Sequence, residues 1–166
     1  DYNSPTGNVI TTYTERMFHE QDIVNPGEMG RVFLGESFLS NKSQSFRFTL
    51  DGMVPGSDVN VYSMFGAKTK DYASTISYSY NDKELRELDS DIIEPANTDG
   101  VFYNTTSTGS IKSFTLDGTN DLKYTVNYSG PSNAQLARLD FITVNYQREL
   151  ALRNGSLCFG LQNAKS

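Results

Sequence analysis

Ala137-Arg138-Leu139-Asp140-Phe141-Ile142-Thr143-Val144-Asn145-Tyr146-Gln147-Arg148-Glu149-Leu150 is the stretch that decides the fold. It is long, rich in aromatic and β-branched residues, and free of Gly and Pro, which reads as a central strand of a sheet. Strict alternation sends Leu139, Phe141, Thr143, Asn145 and Gln147 to one side and Ile142, Val144 and Tyr146 to the other. Asp140 interrupts the apolar pattern. A carboxylate between Leu139 and Phe141 must lie at the start of the strand or be held by hydrogen bonds, because burying it unpaired is costly.

Shorter runs of the same character flank this strand. Val9–Met17 reads as a first strand, followed by a polar stretch with a turn at Asn25-Pro26-Gly27. Arg31–Leu39 is Phe-rich and bent or bulged at Gly35. Ser45–Leu50 alternates, with Phe46, Phe48 and Leu50 on one side. Val59–Phe65 and Thr75–Tyr80 continue the pattern, and Asn81-Asp82 offers a hairpin turn. Lys83–Leu88 has helical propensity, yet its position after that turn favours a return strand. Asp89–Asn104 is acidic and irregular, the composition of a surface connection. Ser110–Leu116 and Leu122–Tyr128 read as a hairpin around DGTND, and Ser156–Leu161 as a last strand.

The pentapeptide Phe48-Thr49-Leu50-Asp51-Gly52 recurs as Phe114-Thr115-Leu116-Asp117-Gly118. A strand running into an Asp-Gly turn is common local chemistry, but two copies also suit equivalent places in the two sheets of a sandwich. The sequence therefore predicts an all-β fold, a two-sheet antiparallel β-sandwich of jelly-roll type. Residues 1–8 are expected to form a polar lead, a linker or disordered, and 9–166 a single β-sandwich domain, expected to be excised from a larger secreted protein.

Composition removes several functions. The net charge of −6 opposes a phosphate-binding surface, so no nucleic-acid partner is expected. No apolar run is long enough to span a membrane. Cys158 is the only cysteine, which excludes an intrachain disulfide and leaves the redox compartment open. The Asn-x-Ser/Thr triplets at Asn41, Asn104, Asn127 and Asn154 are expected by chance in so polar a chain.

Candidate chemistry is sparse. A nucleophilic dyad would need an activated thiolate beside a base, whereas Cys158 sits between Leu157 and Phe159 in an apolar run. His19 reads instead as a surface residue or one hydrogen-bonded between strand and loop. Calcium needs only oxygens. Asp117, Asn120 and Asp121 supply them in one turn, and Asp89, Asp91 and Glu94 in another, although neither matches a twelve-residue calcium loop. No cofactor is expected beyond that calcium alternative. Asp140 and Glu36, in apolar surroundings, are the candidate carboxylates of a β-sandwich glycosidase. Tyr78, Tyr80, Tyr103, Tyr124 and Tyr128 could stack on sugars in a carbohydrate-binding module, or fill the sheets.

Two stretches together resemble a known family. Tyr13-Thr14-Glu15-Arg16-Met17-Phe18-His19-Glu20, followed by Asn25-Pro26, Gly30-Arg31 and Gly35-Glu36, is similar to the region preceding the protease domain in the PorU family, the gingipain-like (C25 peptidase) sortases of the type IX secretion system. Leu139–Leu150, with Asp140 and Arg148, resembles the closing strand of that region, and Phe46–Asp58 its strand and Pro-Gly loop. One departure is Phe33, where the family pattern suggests an aromatic pair that includes Trp. The resemblance implies a parent cysteine peptidase at the bacterial cell surface or outer membrane. That enzyme would cut C-terminal sorting domains from secreted cargo and transfer the cargo to an anionic lipopolysaccharide. Its catalytic Cys and His motifs are absent from this chain, so no catalytic residue is carried over. The chain is then expected to be a noncatalytic accessory or scaffold domain. Its implied partners are the downstream protease domain of the same polypeptide and secretion components or cargo.

Overall fold

The computed structural model describes residues 10–25, 33–39, 42–68, 73–84, 91–93, 108–130 and 136–151. Their strands are β1 (Thr12–Glu20), β2 (Ser37–Leu39), β3 (Lys42–Thr49), β4 (Asp58–Lys68), β5 (Ser74–Tyr80), β6 (Lys83–Glu84), β7 (Asp91–Ile93), β8 (Thr108–Thr115), β9 (Asp121–Ser129) and β10 (Leu136–Glu149). One sheet has the order β1-β10-β4-β8, with β2 also on β10; the other has β3-β9-β5-β6, with β7 also on β5. Every pairing is antiparallel. From β3 to β5 and again from β8 to β10 the chain crosses between sheets at every step, which is the winding of a jelly roll.

The alternating runs place their apolar sides where expected. Phe46, Phe48, Val59, Val61, Ile76, Tyr78, Leu122, Tyr124, Val126 and Tyr128 are buried between the sheets. Each such ring or branched side chain removed from water contributes about 2 kcal/mol. The tyrosines proposed for sugar stacking are thus core residues: Tyr78, Tyr124 and Tyr128 are each at most 2% exposed, and Tyr80 stacks on Phe114 at 4.1 Å. Tyr103 lies outside the described residues.

β10 is central, as expected, but its alternation is broken. Against β4, Leu139 pairs with Phe65 and Phe141 with Met64, so Asp140 is an extra residue in a β-bulge. A one-residue insertion exchanges the two faces of a strand. Accordingly Ala137 and Leu139 share the core with Ile142, Val144 and Tyr146, while Phe141 turns outward. Asp140 therefore lies in mid-strand and not at its start.

Other expectations shift in detail. β1 runs to Glu20, beyond the anticipated end at Met17, because β10 offers partners as far as Phe141. Asn81 and Asp82 have positive φ of 45° and 63° and close the β5–β6 hairpin, which bears out the two-residue turn. The acidic connection contains β7, whose Ile92 and Ile93 pair with β5. β8 and β9 do not form a hairpin. β8 pairs with β4 and β9 with β3 and β5, because the Asp-Gly turn carries the chain over the sandwich edge. The earlier Asp-Gly turn does the same from β3 to β4, in the opposite direction, and Gly52 and Gly118 have φ of 66° and 63°. The pentapeptide copies occupy equivalent places in the two sheets. The first copy also reaches the turn that follows the second: the Leu50 amide donates to the Asn120 carbonyl at 2.7 Å. The polar lead, the Pro26-Gly27 turn, the strand Ser156–Leu161 and Cys158 lie outside the described residues.

Candidate functional site

Among the described residues, polar side chains with defined geometry gather along the seam between β1 and β10 and on the outer face of their sheet. Along the seam, Tyr13, Glu15, Met17 and His19 alternate on the side of β1 that faces the sandwich. At one end Arg148 Nη1 donates to Glu15 Oε2 at 2.7 Å, and the Tyr13 hydroxyl donates to the same oxygen at 3.0 Å. Burial pushes the Glu15 carboxyl up, but hydrogen bonds from Arg148, the Arg16 amide and Tyr13, with the Arg148 charge, hold it below the usual range. Nearby, the Tyr146 hydroxyl, pushed up to about 12 chiefly by burial, donates to the Asp51 carbonyl at 3.3 Å.

At the other end His19 Nε2 lies 2.7 Å from Glu36 Oε1, and its ring packs 5.0 Å from Phe46. His19 is thus bonded between a strand and the loop before β2, one of the two expected placements. Gly35 donates its amide to Leu139 and Leu139 donates back to the Glu36 carbonyl, at 2.7 and 3.0 Å. A Cβ on residue 35 would lie 2.7 Å from the Gln21 carbonyl oxygen, so only glycine fits the bend predicted there. Arg138 Nη1 caps the Gly35 carbonyl at 3.0 Å.

Asp140 lies at this end too. Its carboxyl is pushed up first by burial and then by the negative charges of Glu20 and Asp22. Glu20 and His19 are consecutive in a strand and so point to opposite faces. Asp140 is on the Glu20 side and Glu36 on the His19 side, so the two carboxylates of the glycosidase reading do not face a common cleft. Hydrolysis requires that they flank one bond.

The proposed calcium turn has other partners. Asp117 pairs with Lys83, Asp121 Oδ1 accepts from the Thr49 hydroxyl at 2.9 Å, and the Thr119 hydroxyl accepts the Asp121 amide at 3.1 Å. Among the described residues no group of three or more His, Cys, Asp or Glu side chains could hold a metal. Asp91 lies in β7, and Asp89 and Glu94 fall outside the described residues. No helix among the described residues is long and apolar enough to cross a membrane.

The outer face of the β1-β10-β4-β8 sheet carries features that sequence reasoning missed. Phe18, Thr143, Tyr62 and Ile111 lie in register across its strands, and Arg16, Asn145, Asn60 and Ser113 form the next row. Phe141, turned outward by the bulge, stacks on Phe18 at 5.7 Å and meets Tyr62 edge-on at 5.5 Å. Phe18 and Ile111 remain 52% and 68% exposed, too much for ordinary packing partners. An open trough of about 380 Å³ lies beside this band, lined by Thr14, Asn145, Tyr146 and Gln147 of β1 and β10, Asp58, Asn60 and Tyr62 of β4, and Ile111 of β8. The alternation of Asn60, Tyr62, Asn145 and Gln147 was visible in the sequence; the placement of their strands side by side was not.

The fold defines the class: a jelly-roll β-sandwich. Among solved structures, the chain is similar to part of dimeric latent PorU from Porphyromonas gingivalis, with a TM-score of 0.72 and 24% identity over 86% of this chain and 13% of that one. The two share this fold, and this chain corresponds to about one eighth of the PorU chain. More distant are the CBM36-1 domain of a multidomain xylanase from the hindgut metagenome of Trinervitermes trinervoides (TM-score 0.45, 9% identity, 78% of this chain and 96% of that one). A carbohydrate-binding module CBM36 in complex with calcium and xylotriose gives a TM-score of 0.43 and 11% identity over 81% of this chain and 99% of that one. Likenesses at that level carry no functional argument. No protein-family model and no curated protein matches the sequence.

Proposed function

We propose that this chain is a noncatalytic accessory domain of a PorU-like peptidase, exported to the bacterial surface, where it positions the protease domain against secretion components or cargo. The observation that carries this reading is how the family-resemblance residues are used. Glu15 binds Arg148, His19 binds Glu36, Gly35 bonds to β10, and Asp140 makes the bulge. These side chains and amides join β1, the Gly35 bend and β10 into one edge of the sandwich, work that belongs to a scaffold. The shared fold over 86% of the chain supports the same reading.

The test is to read the encoding gene downstream of Ser166. A His and a Cys, each in a Gly-rich strand-end context of the gingipain type, are expected. A stop codon shortly after Ser166 would overturn the proposal.

A further inference from the structure

We propose that the trough on the outer face of the β1-β10-β4-β8 sheet binds a neutral oligosaccharide chain. This inference does not rest on the sortase reading. The trough crosses four paired strands, about 14 Å at ordinary strand spacing, which is the reach of a few sugar units. Its floor presents the planar amides of Asn60, Asn145 and Gln147 on neighbouring strands, with the Thr14 hydroxyl accepting from Gln147 Nε2 at 2.9 Å. Amides both donate and accept, which suits hydroxyl groups that do the same. Tyr62 supplies a ring beside these amides, braced by Phe141 at 5.5 Å, and a braced ring can stack on a pyranose face with little loss of side-chain freedom.

Charge selects against other ligands. Asp58 is the one charged side chain in the lining, and the whole chain carries a net charge of −6. Phosphates, nucleic acids and acidic glycans need cations that this lining lacks. A small metabolite would favour an enclosed cavity that covers most of its surface, whereas this trough is open. An extended peptide adds to a sheet edge through backbone bonds, whereas this trough lies across the face of the sheet, over β10 and β4, which are paired on both sides. A polymer of hydroxyl-bearing rings fits what remains: amides, hydroxyls and one stacked ring in a shallow open channel.

The experiment is an array of neutral and acidic glycans probed with the 166-residue chain, followed by calorimetric titration with xylohexaose, cellohexaose and mannohexaose. Saturable binding to at least one neutral oligosaccharide is expected. Tyr62→Ala should weaken it about tenfold, and Asn145→Ala should weaken it independently. Ser77→Ala, on β5 of the opposite sheet, should leave it unchanged. Circular dichroism identifies any variant that fails to fold, and Asn145→Ala, a truncation on the outer face, serves if Tyr62→Ala does. The proposal is overturned if no neutral glycan is retained, if only acidic glycans bind, or if folded Tyr62→Ala and Asn145→Ala both bind like the parent chain.

Discussion

The two ends of the β1–β10 seam use charge in opposite ways. At the Arg148 end, opposite charges meet: Glu15 accepts from a guanidinium and a phenol, with side chains only 22–28% exposed for the ion pair. At the Asp140 end, like charges gather, and Asp140 shares its surroundings with Glu20 and Asp22. Both ends belong to the same pair of strands. The difference shows that β10 is tied by an ion pair where its pairing is regular, and by backbone amides together with the Arg138 cap and the His19–Glu36 bond where its register changes. At the bulge the joint is made by the Gly35 and Leu139 amides and the Arg138 cap, and the carboxylates are tolerated at the surface of that joint.

The largest effect should come from inserting one alanine between Thr143 and Val144, inside the regular part of β10. The added residue would turn either Val144 and Tyr146 or Ala137, Leu139 and Ile142 outward, so the chain should lose about 4 kcal/mol or more and fail to give a cooperative thermal transition. Deleting Asp140 removes the extra residue and leaves all five facing inward in plain alternation, so it should cost far less, and a deletion mutant as unstable as the insertion would show that the bulge itself is needed to hold β10. Next is Gly35→Ala. Its Cβ would meet a backbone oxygen at 2.7 Å, which cannot rotate away, and a loss of about 2 kcal/mol in urea unfolding is expected.

Glu15→Gln should cost less, about 1 to 2 kcal/mol at neutral pH. Because the folded-state pKa of Glu15 is depressed below its ordinary value of 4.5, its contribution is complete above that value and disappears as pH falls through the folded value. Parent and variant should therefore converge in acid, and a gap that stays constant would break the comparison.

Asp140→Asn is the smallest change and has the opposite sign. The Asp140 pKa is raised above its ordinary 3.8, so the folded state holds its proton more tightly and stability falls as pH rises through that interval. The variant should melt slightly higher than the parent at pH 7 and match it once the pH drops below the ordinary aspartate range. A lower melting temperature at pH 7 would mean that the Asp140 carboxylate has a favourable partner and that the two ends are alike.

Several elements were legible because their causes are local. Alternation in Ser45–Leu50 and Val59–Phe65 marks one buried face, and the Asn81-Asp82 pair tolerates the positive φ that a two-residue hairpin needs. The bend at Gly35 was equally plain, although its reason, the Gln21 carbonyl, came from a segment folded against it. The mistaken hairpin and the undecided tyrosines share one origin. A DGTND loop looks the same whether it joins neighbours in one sheet or crosses between sheets, and the strands it joins decide which. Tyr78, Tyr124 and Tyr128 alternate as well in a core as on an exposed face. For the candidate site, Tyr62 and Asn145 were readable as members of strands, but a trough needs four strands in register.

By itself the sequence determined an all-β chain, most of its strands, and the apolar side of each regular one, because side-chain period and turn chemistry act over a few residues. Only the tertiary structure decided that Asp140 is a bulge, that Phe141 therefore faces out beside Phe18 and Tyr62, and that the two Asp-Gly turns carry the chain between sheets. Those outcomes depend on which strands hydrogen-bond to which. Pairing partners far apart in the chain are selected by the packing of the whole sandwich, which no local window of residues contains.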